Sequence, residues 1–265
     1  VVAVVVALVL VKAGSGPGTA PASSEGPAGA ALSGLVSDVT SVPAHVLDAV
    51  GRGSLAGDAL TRVSGPALTS GGKPELLYVG ANFCPFCAAE RWPMIIALSR
   101  FGTFSGLSTT RSSTTDEYPG TPTFTFYGSS YHSNYLSFAP VEETTNYRQG
   151  NSASPDVPYV TLQTPTAAEQ ALLDKYDPGA DGNSIPFIDI GNKYVEISNP
   201  EPYGPQDLSG KNWSQIATAL RDPATAIAQG ADASANYLTA GICTLTGNQP
   251  ATACTSTVRA LEPQP

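Results

Sequence analysis

The sequence predicts an α/β fold, and three stretches predict it. Glu75–Val79 is a short apolar run of the kind that forms a buried strand. It leads straight into Cys84-Pro85-Phe86-Cys87 and then into a helical stretch, Ala88–Gly102. Asn183–Ile197 reads as two strands joined at Gly191-Asn192, with Pro186 at the head of the first. Thr121–Ser137 alternates aromatic and small polar residues around a Gly-Ser-Ser turn, a hairpin signal.

The elements follow in order. Residues 1–12 open with eleven apolar residues before Lys12, too few to span a bilayer by themselves. They are read as part of a transmembrane anchor; the alternative for a Val-rich run is a buried strand. The anchor is favoured because residues 13–30, rich in Gly, Pro, Ala and Ser, read as a flexible tether. Residues 31–72 are expected to form an N-terminal extension, with a short helix that starts near Pro43. The main domain is placed at 73–242. Within it, Pro93 predicts a kink in the helix after the dithiol, and Gly102 a stop. Phe104–Ser112 reads as one strand. Thr166, with Glu169 three residues on, predicts a capped helix to Tyr176. Trp213–Leu220 and Pro223–Leu238 read as helices. Residues 243–265 form a tail with a second cysteine pair.

Composition bounds the function. The 265 residues are 42% hydrophobic and only 13% charged, with net charge -9. Thirteen Lys and Arg with no basic run argue against nucleic acid as a partner. Two His and four Cys leave little for a metal centre, and no metal or organic cofactor is expected. Four Cys in two separate pairs suit an oxidising compartment. The domain is therefore expected at the cell membrane, on the extracytoplasmic side of a single-pass anchor.

The strongest chemical signal is Cys-x-x-Cys at a strand–helix junction. A cysteine at a helix N-terminus has its thiolate favoured by the dipole and by free N–H groups. The spacing lets one thiol attack and the next resolve the mixed disulfide. Cys84 is the expected nucleophile and Cys87 the resolving thiol. The other readings are a redox-inert disulfide and half of a zinc knuckle. The second pair, Cys243 and Cys254, has ten residues between its members, which is wrong for zinc and suits a structural disulfide. Phe83 and Phe86 are the expected apolar client contacts. Trp92 is a rim or core residue, core being the commoner fate. Glu90 and Arg91 are expected to be an exposed pair on a solvated helix. His45 and His132 are read as surface residues, and Asp189 as facing solvent or a neighbouring N–H.

The order strand–CxxC–helix, then x-Pro–strand–turn–strand–helix, is that of a thioredoxin fold. Such folds place a cis proline beside the dithiol, and Ile185-Pro186 occupies that position. The segments GKPELLYVGANFCPFCAAERWPMIIALSRFGTFSGL, TPTFTFYGSSYHSNYLSF and SIPFIDIGNKYVEI resemble the thioredoxin-like family catalogued as domain of unknown function 929. Members often carry an N-terminal membrane anchor. More distantly, C-P-x-C is similar to the pattern of DsbA-like oxidases, although the central pair here lacks a His. The resemblance implies a thioredoxin-like domain with a β-hairpin insertion and N- and C-terminal extensions. It also implies that Pro186 belongs to the catalytic site and that the backbone of Ile185 binds a client's extended chain.

Two functions follow as expectations. One is a membrane-anchored thiol–disulfide oxidoreductase acting on client protein thiols and reset by a membrane redox partner. The other is a redox-inert accessory subunit of a larger membrane protein complex. For that subunit the aromatic hairpin (Phe124, Phe126, Tyr127, Tyr131, Tyr135) would be a docking face, unless it is the domain's own core. A third reading, thiol capture of a client or of copper without turnover, ranks below both.

Overall fold

The computed structural model describes residues 26–179 and 183–263. The anchor at 1–12 and most of the tether lie outside the described residues. The tether's end, 26–30, is packed rather than free: Thr109 donates to the Pro27 carbonyl, and the chain enters helix α1 (Gly29–Thr40). Helix α2 (Ala44–Val50) follows with Pro43 at its N-cap. Among the described residues no single helix is long and apolar enough to cross a membrane.

Two short strands, β1 (Thr61–Arg62) and β2 (Thr69–Ser70), precede β3 (Lys73–Gly80) and helix α3 (Pro85–Ser99). Then come β4 (Gly102–Ser105), β5 (Ser108–Arg111), β6 (Pro122–Thr125) and β7 (Ser130–Ser133). Next are β8 (Ser137–Glu142), β9 (Thr144–Arg148), β10 (Tyr159–Thr161) and helix α4 (Ala167–Tyr176). Strands β11 (Phe187–Ile190) and β12 (Tyr194–Ile197) lead to α5 (Pro205–Leu208) and α6 (Trp213–Ala219). A π-helical turn, Ala228–Asp232, opens α7 (Ala233–Leu245), and α8 (Ser256–Arg259) closes the described chain.

The result is a mixed α/β architecture. The central sheet runs β8–β3–β11–β12, with β1 beyond β12 and β2 beside the start of β3. Strand β3 is parallel to β8 and antiparallel to β11, which is antiparallel to β12. The turn between β11 and β12 falls where Gly191-Asn192 predicts it. Both residues have positive φ (66° and 57°), which Gly and Asn tolerate best.

Strand β3 is apolar because both its faces are covered. Leu76 and Tyr78 face the larger core with α3 and α7; Leu77 and Val79 join Phe187, Val195 and Leu173 of α4 on the other side. Helix α3 is buried almost all round. Each of Ile95, Ile96 and Leu98 therefore contributes about 1.5–3 kcal/mol of burial. Pro93 lacks the N–H that would bond the Ala89 carbonyl; the Tyr203 hydroxyl donates to that carbonyl instead, at 2.8 Å.

Three expectations need correcting. Phe104–Ser112 is two strands, not one, broken at Gly106 (φ 75°). Strands β6 and β7 do not pair with each other across the Gly-Ser-Ser turn. They pair with β5 and β4, so one interrupted hairpin has arms 102–111 and 122–133 and its loop at 112–121. The register shift at Gly106 and Gly128 is a bulge, which the alternating pattern alone does not reveal. Gly102 does not stop α3, which is capped at Arg100; Gly102 begins β4, where the His132 carbonyl and the Tyr131 ring approach too closely for a Cβ.

Four of the hairpin's five aromatics belong to the core: Phe124 and Phe126 are fully buried, and Tyr131 and Tyr135 pack against the same cluster. Tyr127 is half-buried outside it. Trp92 Nε1 and Trp213 Nε1 donate to the carbonyls of Pro122 and Thr123 and pin β6 to the helices. Segment 31–72 contributes Leu35, Val39, Leu47 and Val50 to the same core. Cys243 and Cys254 form a disulfide that ties α7 to the tail.

Candidate functional site

Strand β3 ends at Gly80, and four residues later Cys84 caps α3 with extended backbone (φ -70°, ψ 122°). Pro85 at the first helical position has no N–H to leave unsatisfied. The Cys84 sulfur accepts the Cys87 N–H at 3.1 Å, the bond a helix N-cap supplies. Both cysteines are free thiols, but unequal ones: Cys84 is 5% exposed and Cys87 is sealed at 0%.

The sheet brings the proline strand to this point. The Ile185–Pro186 peptide is cis, and the Cys84 thiol points at the Ile185 carbonyl, 3.7 Å away. The Ile185 N–H has no hydrogen-bond partner among the described residues. Cys84, Cys87, Ile185 and Pro186 are thus brought together.

Phe83 precedes Cys84 in the chain, and Phe86 lies between the two cysteines. Phe83 is half-buried and stacks on Tyr159 (centroids 4.3 Å apart, planes 8° apart), whose ring also carries the Arg148 guanidinium at 4.0 Å. Phe86 is half-buried and meets Tyr118 edge-on. It lines a cavity of about 370 Å³ with Tyr118, Asn199, Glu201, Pro202 and Tyr203. Trp92 is core, as is Asp189, which accepts the Asn192 N–H at 2.5 Å. His45 and His132 are exposed.

Glu90 and Arg91 overturn the expectation of a solvated pair: both are completely buried. Arg91 Nε and Nη2 bond the two oxygens of Glu142 at 2.8 and 2.5 Å, and Nη2 also reaches the Ala81 carbonyl. Glu90 accepts from Asn199 and Ser234. The physical reason is that α3 has no solvent face. The run from Ala88 to Leu98 carries only these two charges among apolar residues, and that lack of a polar stripe was the signal in the sequence. Tyr78, Glu142 and Glu196 had no such signal. Tyr78 lies in a strand of apolar neighbours, and the other two wait on long-range packing.

The electrostatics separate the two thiols. Burial opposes the Cys84 thiolate. Donation from the Cys87 thiol and N–H, the Arg91 charge and the Phe86 N–H outweigh it, and the Cys84 pKa is lowered. Burial pushes the Cys87 thiol well up, as do the bond to Cys84 and the Cys84 charge, while Arg91 pulls it down. The Tyr78 hydroxyl is buried beside Cys87 with no hydrogen-bond partner among the described residues, and burial raises its pKa well above the ordinary value. Among the described residues no cluster of three or more His, Cys, Asp or Glu is placed to hold a metal ion.

A mixed-sheet α/β domain with a paired dithiol at a helix N-terminus is the class these features define. The chain belongs to the family described as Domain of unknown function (DUF929), whose model matches residues 59–244. No curated protein and no solved structure matches it.

Proposed function

We propose that the protein is a thiol–disulfide oxidoreductase built on a thioredoxin-like domain, held at the extracytoplasmic face of a membrane by its N-terminal segment. The carrying observation is the inequality of the two thiols: Cys84 caps the helix with a lowered pKa, and Cys87 is sealed with a raised one. The sheet order β8–β3–β11–β12, with its one parallel pair, supports the domain reading. So does the approach of the Ile185 carbonyl, at the head of β11, to within 3.7 Å of the Cys84 sulfur.

The reaction balances as two-electron exchange. A client thiolate attacks the Cys84 sulfur of the disulfide form, the Cys84–Cys87 bond breaks, and its electron pair leaves on Cys87, which takes a proton. A second client thiolate attacks the client sulfur of the mixed disulfide, and Cys84 departs as thiolate. The client is oxidised and the dithiol reduced; client reduction runs the same steps backwards. The free Ile185 N–H and the Ile185 carbonyl are placed to pair with the client's main chain, and Phe83 and Phe86 flank it. A membrane redox partner resets the dithiol.

The slight exposure of Cys84 favours a second reading, a redox-inert accessory subunit of a membrane complex. One experiment separates them: the redox equilibrium of Cys84–Cys87 in glutathione buffers, read by alkylation and mass, with Cys84→Ser as control. A potential between about -120 and -270 mV supports turnover, and its place in that range gives the direction. A pair that refuses exchange at every poise overturns the enzyme reading.

A further inference from the structure

Three residues beyond Cys87, Glu90 projects into the interior. Its Oε2 accepts from Asn199 Nδ2 at 2.8 Å and its Oε1 from Ser234 Oγ at 3.2 Å. Facing it is the carboxyl of Glu196 on β12, only 3% exposed, whose two oxygens find no protein donor among the described residues. Among the described residues no cation is bonded to either carboxyl, and Arg91, the next residue of α3, is turned to Glu142. Arg62 of β1, the strand paired with β12, is turned to the Pro263 carbonyl and the Tyr194 ring, and Asp58 lines a cavity with Glu196. Asp232 lies before α7, buried and without a donor among the described residues. Asp207 of α5 and Glu201 of the loop are acidic too, and the Tyr203 hydroxyl is given to Ala89. Two carboxylates in contact at low dielectric repel strongly, so one of them must hold a proton.

Asn199, which Glu90 grips, belongs to the segment from Ser198 to Tyr203. That segment forms one wall of the cavity beside Phe86, and Ser198 holds a positive φ of 65°. We propose that Glu90 and Glu196 share one proton and act as a positioning pair: while the proton is present it joins α3 to the end of β12 and the 198–203 wall that follows, and when it leaves the two carboxylates repel and push Glu196, with the chain after it, away from the dithiol helix. The inference rests on the oxidoreductase reading only for what the wall does, namely bounding the client groove; the proton-sharing itself stands apart from it. Burial moves both groups in the direction this requires, Glu90 up to about 7 and Glu196 well above the ordinary value.

The test is an NMR titration of the full protein, following the side-chain carboxyl carbons of Glu90 and Glu196 and the backbone amides of 198–203. One shared transition near pH 7 is expected in both carboxyls and in the Ser198, Asn199 and Tyr203 amides. Glu196→Gln, whose amide donates to Glu90 as the protonated acid does, should remove that transition and hold the wall in its low-pH position. Should that variant not fold, Glu90→Gln makes the same demand, and the wild-type titration is decisive alone. Carboxyls that both titrate in the ordinary range near about 4.3 overturn the proposal, as do loop amides that ignore the transition or a transition unchanged in Glu196→Gln. No redox turnover is read, so failure here is distinct from failure of the oxidoreductase reading.

Discussion

Arg91 stands one helical turn beyond Cys87 and gives two of its nitrogens to the two oxygens of Glu142, with both side chains fully buried. Glu142 also accepts the Phe126 N–H at 3.1 Å, and Arg91 also holds the Ala81 carbonyl. The ion pair therefore joins α3, the end of β8, the hairpin and the loop that leads to Cys84. One guanidinium nitrogen, Nη1, has no hydrogen-bond partner among the described residues. The Arg91 charge is one of the causes that lower the Cys84 pKa despite burial.

Removing one partner leaves a buried charge uncompensated. Arg91→Met is expected to cost about 3–5 kcal/mol of unfolding free energy in urea. It should also move the pH dependence of Cys84 alkylation upward. The double variant Arg91→Met/Glu142→Leu should recover much of the stability, because both charges are gone. It should not recover the low alkylation midpoint. A double variant with the wild-type midpoint would show that Arg91 acts on stability alone.

The two thiols should react unequally. In the reduced protein, a small alkylating reagent is expected to label Cys84 and spare Cys87, read by peptide mass. The Cys84 rate should reach half its maximum below the pH of an ordinary cysteine, since its folded pKa is lowered. Cys87→Ser should trap mixed disulfides through Cys84, and Cys84→Ser should trap none. Equal labelling of both cysteines would contradict the assigned roles.

The parts legible in the sequence were those with local signatures. The β3 run, the CPFC junction, the Thr166 capping box and the Gly191-Asn192 turn all lie where neighbouring residues dictate them. The errors arose where distant chain decides. Glu90 and Arg91 look like a surface pair until Glu142, Asn199, Glu196 and Ser234 arrive from elements 50 to 145 residues away. The hairpin's arms were misplaced because a bulge changes pairing without changing alternation. Tyr78 was unreadable as a site residue, because a strand tyrosine is ordinary until a thiol is packed on it.

Tyr78 offers a further test. Its hydroxyl is buried with no hydrogen-bond partner among the described residues, which costs about 1–3 kcal/mol. Tyr78→Phe is therefore expected to raise stability by roughly 1 kcal/mol in urea unfolding. Gly80→Ala should do the reverse. A methyl there would collide with the Tyr78 hydroxyl and come within 3.1 Å of the Cys87 sulfur, for a loss of about 1–3 kcal/mol. A destabilised Tyr78→Phe would mean that the hydroxyl has a partner, a buried water for example.

The second cysteine pair should matter to stability and not to exchange. The disulfide closes a loop between residues 11 apart in sequence. In the chain-entropy model a loop of that size contributes about 3 kcal/mol. Cys243→Ser/Cys254→Ser should lower the urea midpoint accordingly and leave the potential of Cys84–Cys87 unchanged. A shifted potential would instead make this pair a redox relay.

Glu90 and Glu196 fix the sign of the pH dependence of stability. Their folded pKa values are raised, Glu90 to about 7, with burial the leading cause for both. Between the unfolded glutamate value of about 4.3 and the folded values, the native state binds protons that the unfolded chain has lost. Unfolding free energy therefore falls as pH rises through that window, by up to about 1.4 kcal/mol per pH unit for each proton held. Asp189, raised to about 6, and Asp232, raised well above its ordinary value, act in the same direction. The protein should be more stable in urea at pH 5 than at pH 8. Glu196→Gln tests the assignment, because it keeps the donor to Glu90 and removes one titrating group. Its stability should fall less steeply between pH 5 and pH 8 than that of the wild type. Equal slopes would place the linked proton elsewhere, on Asp189 or Asp232, and Asp232→Asn would then be the variant that flattens the curve.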